Sequence, residues 1–287
     1  MARKKTKKET QEETQEETQT IETVDVSIAQ QNSTVDDAND GFEDWDDDDL
    51  ILPRFQILQG TSSKLKPGWA PGGLLDTLSE NYVQSAQCAF LLYRKGMVLW
   101  PSSDTDDRTG MPLCRSSNRI TPDPDIENPV CQTCHKKVGP NKYMSVCPSS
   151  KWGSNNEPPE CKKTYTLLGL ELSNDIPYPF FVTLHGKSIK SVRRFLSYVR
   201  SIRSPLYGIK CELSTTQETN ARGTFYVVNF SSLTPTQPDE RASFKALYEQ
   251  MKELDLSRSI QRNDEIDEEQ QSEQYVGDPT DFDPNTF

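Results

Sequence analysis

Five of the seven cysteines crowd into one polar stretch: Cys114, Cys131-Gln-Thr-Cys134, Cys147 and Cys161, with His135 directly after the second thiol of the CxxC pair. A CxxC turn aims two thiolates at one tetrahedral metal, and a second pair from a distant loop closes the site. Residues 102–163 hold too few apolar side chains to fold alone, so a metal would supply the missing cross-link. The spacing predicts a structural Zn2+ on Cys131, Cys134, Cys147 and Cys161, with Cys114 in reserve and His135 adjacent. "CQTCH" also matches the haem-attachment pattern CxxCH, but that chemistry needs an export route and leaves three further cysteines without a purpose.

Catalytic chemistry finds less support. A zinc deaminase needs H-x-E upstream of P-C-x-x-C, and neither His135 nor His185 is followed by x-Glu. "HGKSIK" (185–190) resembles the end of a P-loop, but Phe181 stands where the first glycine must be. Asp104 and Asp106 lie in the polar stretch and read as solvated charge. The sequence therefore predicts a protein that binds rather than one that catalyses.

Binding of single-stranded nucleic acid combines cations with aromatic faces on which bases stack. Tyr93 lies beside Arg94 and Lys95, Trp100 follows shortly after, Tyr165 follows Lys162-Lys163, and Phe225 with Tyr226 follows Arg222. In "TYTLLGLEL", alternation places Leu168, Leu170 and Leu172 on one face and Tyr165 on the other, so an exposed Tyr165 is expected. Lys210 adds a cation in a later strand. Residues 187–204 read as a helix with Ile189, Val192, Leu196 and Val199 at helical spacing. Its other side carries Lys187, Lys190, Arg193, Arg194, Arg200 and Arg203, with no acid in the segment. That face suits a row of phosphates.

The elements that must position these groups are mostly strands. Order is expected to begin near "LILPRFQILQG" (50–60), followed by turn chemistry in "PGWAPGG" (67–73). "CAFLLYRKGMVLWP" (88–101) reads as a β-hairpin turning at Arg94-Lys95-Gly96. Strands resume at 164–172 and 178–186, before the helix. Two more strands, 206–215 and 223–233, are joined by polar "TQETNAR", and a charged helix over roughly 239–256 completes the ordered part. Strands and helices do not alternate, which excludes a doubly wound α/β fold. The expected class is mainly β (α+β): an OB-like small antiparallel barrel with a Cys-rich insertion.

Charge is segregated along the chain. Residues 1–50 carry 5 Lys/Arg against 16 Asp/Glu, residues 51–262 carry 27 against 19, and residues 263–287 carry none against 9. A basic body thus lies between two acidic arms, hidden within a net charge of −12. A positive core attracts phosphate even in an acidic protein. The low-complexity arm 1–48 and the tail 259–287 are expected to be disordered, leaving 49–258 as the binding core. Hydrophobic residues make up 33% of the chain, below the ~45–50% usual for a globular protein. No apolar run reaches the length of a membrane span. The basic start lacks the apolar region of a secretory signal, so a cytoplasmic location with reduced cysteines is expected.

The C-terminus, "DPTDFDPNTF", brings in a resemblance. With its basic strand-rich core, cysteine insertion and Phe-tipped acidic tail, the chain resembles phage-type single-stranded DNA-binding proteins. The resemblance implies an OB-fold core, a zinc-binding insertion in some tailed-phage members, and single-stranded DNA as ligand. It also implies a tail that recruits replication and recombination partners, here through Asp281, Phe282, Asp283 and Phe287, in the cytoplasm of an infected bacterial host. The chain departs from the common bacterial ending, often Pro-Phe, in carrying Thr286-Phe287. Two other classes share some of these features: a zinc-containing DNA-processing enzyme (a nuclease or recombination enzyme), and an acidic adaptor for a polymerase.

Overall fold

The computed structural model describes residues 51–101 and 112–252, apart from 125, 127, 128, 141, 155, 156, 175 and 222. The acidic arm 1–48, Asp104, Asp106, Arg222 and the tail with Asp281, Phe282, Asp283 and Phe287 lie outside the described residues. So do positions 253–256 of the last predicted helix.

The described chain is mainly β. It opens with three short strands, β1 (Phe55–Ile57), β2 (Leu74–Asp76) and β3 (Tyr82–Val83), then one long strand, β4 (Ala86–Leu99). The polar stretch contributes β5 (Cys114–Ser116), β6 (His135–Gly139) and β7 (Lys142–Ser145). Next come β8 (Lys162–Glu171), β9 (Tyr178–His185), helix α1 (Ser188–Ser201), β10 (Ile209–Asn220), β11 (Gly223–Pro235) and helix α2 (Pro238–Met251). Among the described residues, no helix is long and apolar enough to cross a membrane.

Five strands form the main sheet in the order β11-β10-β4-β8-β9, with β5 added at the far end of β4. The first, second, third and fourth long strands thus lie in the Greek-key order 4-1-2-3, the fifth pairs with the fourth, and α1 crosses between the third and fourth. This is the OB-like arrangement, a partly open small barrel. The two edges are not paired with each other. Residues before and after β1 bridge them instead. Phe181 N–H on β9 donates to the Pro53 carbonyl at 2.9 Å. On β11, Tyr226 N–H donates to Gln59 Oε1 at 2.9 Å, and Gln59 Nε2 donates back to the Tyr226 carbonyl at 3.1 Å.

The hairpin expected at 88–101 is absent. β4 runs unbroken through Arg94-Lys95-Gly96, paired with β8 from Cys88↔Glu171 to Val98↔Lys162. Gly96 does not take a positive φ. Its missing side chain serves close approach instead: a Cβ there would stand 2.5 Å from Thr164 Oγ1 and 2.9 Å from the Ser116 carbonyl. A bulge between Phe90 and Leu92 bends the strand. Its first half pairs with β10 and its last residues with β5. Residues 216–220 of the polar linker expected between β10 and β11 are strand, paired down to Asn220↔Gly223.

The sheet buries both faces. On one side, α1 lays Val192, Phe195 and Val199 against Phe90, Phe180 and Val228. Phe195 stacks on Phe230 at 4.7 Å and meets Phe90 edge-on at 5.8 Å, contacts that add to area burial. Cys88 and Cys211, the two cysteines outside the cluster, face each other in this core at 3.7 Å. On the other side, Phe244 of α2 packs against Ala89, Leu91 and Leu170. α2 starts at Pro238 with a capping box between Gln237 and Glu240.

Candidate nucleic-acid interface and thiol cluster

β5 brings Cys114 alongside the end of β4, at Leu99↔Cys114. Cys114 and Cys161 there pack with Met97 and Leu99, and Cys131 lies against them. Cys134 is held by three backbone bonds: its N–H donates to Ile120, and its carbonyl accepts from Val146 and Cys147. Cys161 N–H donates to Ser149 at 2.9 Å. The Cys131 sulfur lies 3.8 Å from that of Cys114 and 3.9 Å from that of Cys134. Tetrahedral zinc–thiolate bonds of about 2.3 Å set sulfurs about 3.8 Å apart.

Burial pushes up the thiol of Cys131, and neighbouring thiols add to the shift. Burial likewise raises Cys134, and pushes Cys161 up to about 12. Burial disfavours the charged form of each of these thiols, and a divalent metal bound to them would offset that cost. Among the described residues, no group of three or more His, Cys, Asp or Glu side chains is placed to hold a metal ion. What suits zinc is the thiol chemistry of the donors and the two pairwise sulfur spacings. His135, at 6% exposure, keeps a buried Nδ1 with no hydrogen-bond partner among the described residues. Burial lowers its pKa, and the Arg119 charge adds to that.

The insertion also positions a cation. Asn118 Oδ1 accepts from the N–H groups of Ile120 and Thr121, at 2.7 and 2.9 Å. Within that turn Arg119 takes φ +68, the left-handed region that an arginine rarely adopts. The Arg119 backbone hydrogen-bonds His135, and its guanidinium lies 4.5 Å from the Tyr143 ring centroid. Beneath the turn, Arg115 and Asp123 form a buried ion pair at 3.1 Å. Asp123 also accepts from Ser117 N–H at 2.7 Å.

Arg119 lines a cleft of about 120 Å³ together with Lys95 of β4, Lys163, Thr164 and Tyr165 of β8, and Arg193 of α1. Lys95 Nζ lies 5.5 Å from the Tyr165 ring and 5.9 Å from the Tyr93 ring. Arg193 Nε donates to the Tyr165 hydroxyl at 3.3 Å. The expectation of an exposed Tyr165 is corrected: the side chain is 5% exposed and belongs to the α1-side core. Alternation placed it opposite Leu168 and Leu170, but α2 covers their face and α1 covers the face of Tyr165. Tyr93 is 38% exposed.

Of the residues expected to bind nucleic acid, Lys95, Tyr165 and Arg193 line this cleft, and Tyr93 lies outside its lining, stacked on Tyr165 at 6.2 Å. Lys190, Arg194 and Arg200 continue along the exposed side of α1 and form no ion pair among the described residues. Lys187 covers the Phe225 ring at 4.2 Å and is paired with Glu218 at 3.0 Å. Trp100 stands apart at the end of β4, 49% exposed. Arg94 and Lys210 hold α2 instead. Arg94 Nη2 donates to the Lys252 carbonyl at 2.8 Å, and Lys210 is paired with Glu240 at 2.7 Å. Arg119 and Tyr143 were not expected at the site. Lys163 was legible as the cation pair preceding Tyr165.

The fold and site together define a mainly-β module with a cysteine-rich insertion and a basic cleft between the insertion, the sheet and the first helix. The chain belongs to a phage family, that of the Pam3 phage gp34-like protein, whose model matches residues 19–261. No curated protein and no solved structure matches it.

Proposed function

We propose that this phage-family protein is a non-enzymatic single-stranded DNA-binding protein of a phage replication and recombination system, acting in the cytoplasm of the infected host. The observation that carries the reading is the convergence of Lys95, Arg119, Lys163 and Arg193 on one cleft, continued by the acid-free cationic side of α1. The OB-like barrel adds support: in that fold the second and third strands and the loop between the first and second bind oligonucleotides. Here that loop is the cysteine insertion, which brings Arg119 to the cleft, while both faces of β8 and β9 are largely covered and only the start of β8 reaches it. A structural Zn2+ on four of Cys114, Cys131, Cys134, Cys147 and Cys161 would hold the insertion in place. The acidic tail, with Asp281, Phe282, Asp283 and Phe287, would recruit replication and recombination proteins.

The deciding experiment is a titration of the full chain with oligo-dT and with duplex of equal length, at several salt concentrations. Preference for the single strand, weakening as salt rises, supports the reading. Equal or absent binding removes it. Deleting 263–287 is expected to leave or improve DNA affinity and to abolish partner recruitment. Phe287→Ala is expected to spare DNA affinity and to weaken recruitment.

A further inference from the structure

The six side chains that shape the cleft are all hydrogen-bond donors. They are the ammonium groups of Lys95 and Lys163, the guanidinium groups of Arg119 and Arg193, and the hydroxyls of Thr164 and Tyr165. Among the described residues, no carboxylate lines it. The Tyr165 ring is buried, so the cleft offers its hydroxyl edge rather than a face for stacking a base. Donors without an open aromatic face select phosphate over base.

The charge count narrows the choice of phosphate. Four cations from four separate segments share about 120 Å³. A phosphodiester within a strand brings one negative charge and leaves three cations unbalanced. A phosphomonoester brings about −1.5 to −2 at neutral pH and three acceptor oxygens. Arg119 reaches the cleft through a left-handed backbone conformation held by the Asn118 turn, a strained placement of the kind that functional positions retain.

We infer that the cleft seats a terminal phosphate, so that the protein prefers a single strand ending in phosphate to one ending in hydroxyl. The inference rests on the DNA-binding reading above. It makes the cleft an end-recognition site, with the side of α1 carrying the rest of the strand.

The test compares full-length protein binding to oligo-dT of one length carrying a 5′-phosphate, a 3′-phosphate or hydroxyls at both ends. Pyrophosphate and dTMP serve as competitors. One phosphorylated strand is expected to bind about tenfold tighter than the hydroxyl-ended one, as charge-assisted hydrogen bonds warrant. Arg119→Ala and Lys163→Ala should each erase that preference, weakening the phosphate-ended strand more than the hydroxyl-ended one until the two bind the variant alike. Lys163→Gln, at an exposed position near the start of β8, covers the case in which Arg119→Ala disturbs its turn. Equal binding of all three strands overturns the end preference and leaves the DNA reading standing. If no strand binds, the DNA reading and the end preference both fall. Pyrophosphate binding that Lys163→Gln abolishes would then assign the cleft to a free phosphate.

Discussion

Arg193 and Tyr165 join helix to sheet at the mouth of the cleft, the guanidinium Nε donating to the phenol oxygen at 3.3 Å. Burial raises the Tyr165 phenol, but the Arg193 hydrogen bond and the Lys95 and Arg193 charges outweigh it and lower the pKa overall. The hydroxyl is thereby held as an acceptor toward Arg193, which fixes that side chain without neutralising it. Tyr165→Phe keeps the ring in the core and removes only this hold. DNA affinity should fall about fivefold, the worth of one hydrogen bond, with an unchanged salt slope. Arg193→Ala should lower affinity and also flatten the slope by about one. Titrations at several salt concentrations check both.

Arg94 and Lys210 make the opposite prediction. Both fasten α2, so Arg94→Ala and Lys210→Ala should each cost about 1 kcal/mol or less of stability and leave DNA affinity unchanged. Phe244→Ala, which empties the contact between α2 and the sheet, should cost about 3–5 kcal/mol. Urea unfolding beside DNA titration separates the two kinds of effect. A loss of DNA affinity without a loss of stability in the Arg94 variant would move that residue back to the interface.

The attachment of α2 should also respond to acid. Glu240's carboxyl is held below its ordinary value of 4.5, first by the Lys210 hydrogen bond and then by the Gln237 N–H. A carboxyl with a lowered folded pKa contributes stability that is present above its unfolded pKa and is lost as pH falls through the folded value. Stability should therefore decline below about pH 4.5, and Glu240→Gln should flatten that part of the decline. Unfolding measured from pH 3 to pH 6, ~0.5 unit apart, reads the difference.

The thiol cluster and the cleft share the insertion, and their variants should not be additive. Purified protein is expected to carry about one zinc per chain, and Cys131→Ser should abolish it. Loss of metal would release the Ser116–Thr121 turn, so Cys131→Ser should lower DNA affinity about as much as Arg119→Ala does. The double variant should be no weaker than either alone, which is the signature of coupled sites. Metal analysis and a double-mutant cycle test this, and strict additivity would uncouple the two.

Periodicity made α1 and the start of β10 legible, because each has one buried face, while apolar runs marked β8, β9 and β11. It failed at Gly96, where a glycine after two charged residues has the look of a turn. Only the strands on either side, with Thr164 and Ser116 pressed against it, explain the glycine as close packing. Tyr165 was misplaced for a related reason. Alternation tells which residues share a face, but not that both faces will be covered. Arg119 left no signal at all: its position comes from the Asn118 turn and the His135 contact, neither of which has a period. The cysteines were the reverse case: their spacing marked them as one group before any fold was known, and Cys114, Cys131 and Cys161 do pack together.

The unbroken β4 has a consequence for how the chain acquires its shape. It leaves the ribosome before any of its long partners. β8 arrives only after the whole stretch from Trp100 to Cys161, and β10 later still. Until then its apolar edges are open to wrong pairing, the hazard of non-local sheets. Closing the cysteine loop early would shorten the effective path between Val98 and Lys162 and lower the entropy cost of bringing them together. On that account a zinc-closed insertion would act as a folding clasp, and newly made chains deprived of zinc should reach the native sheet more slowly.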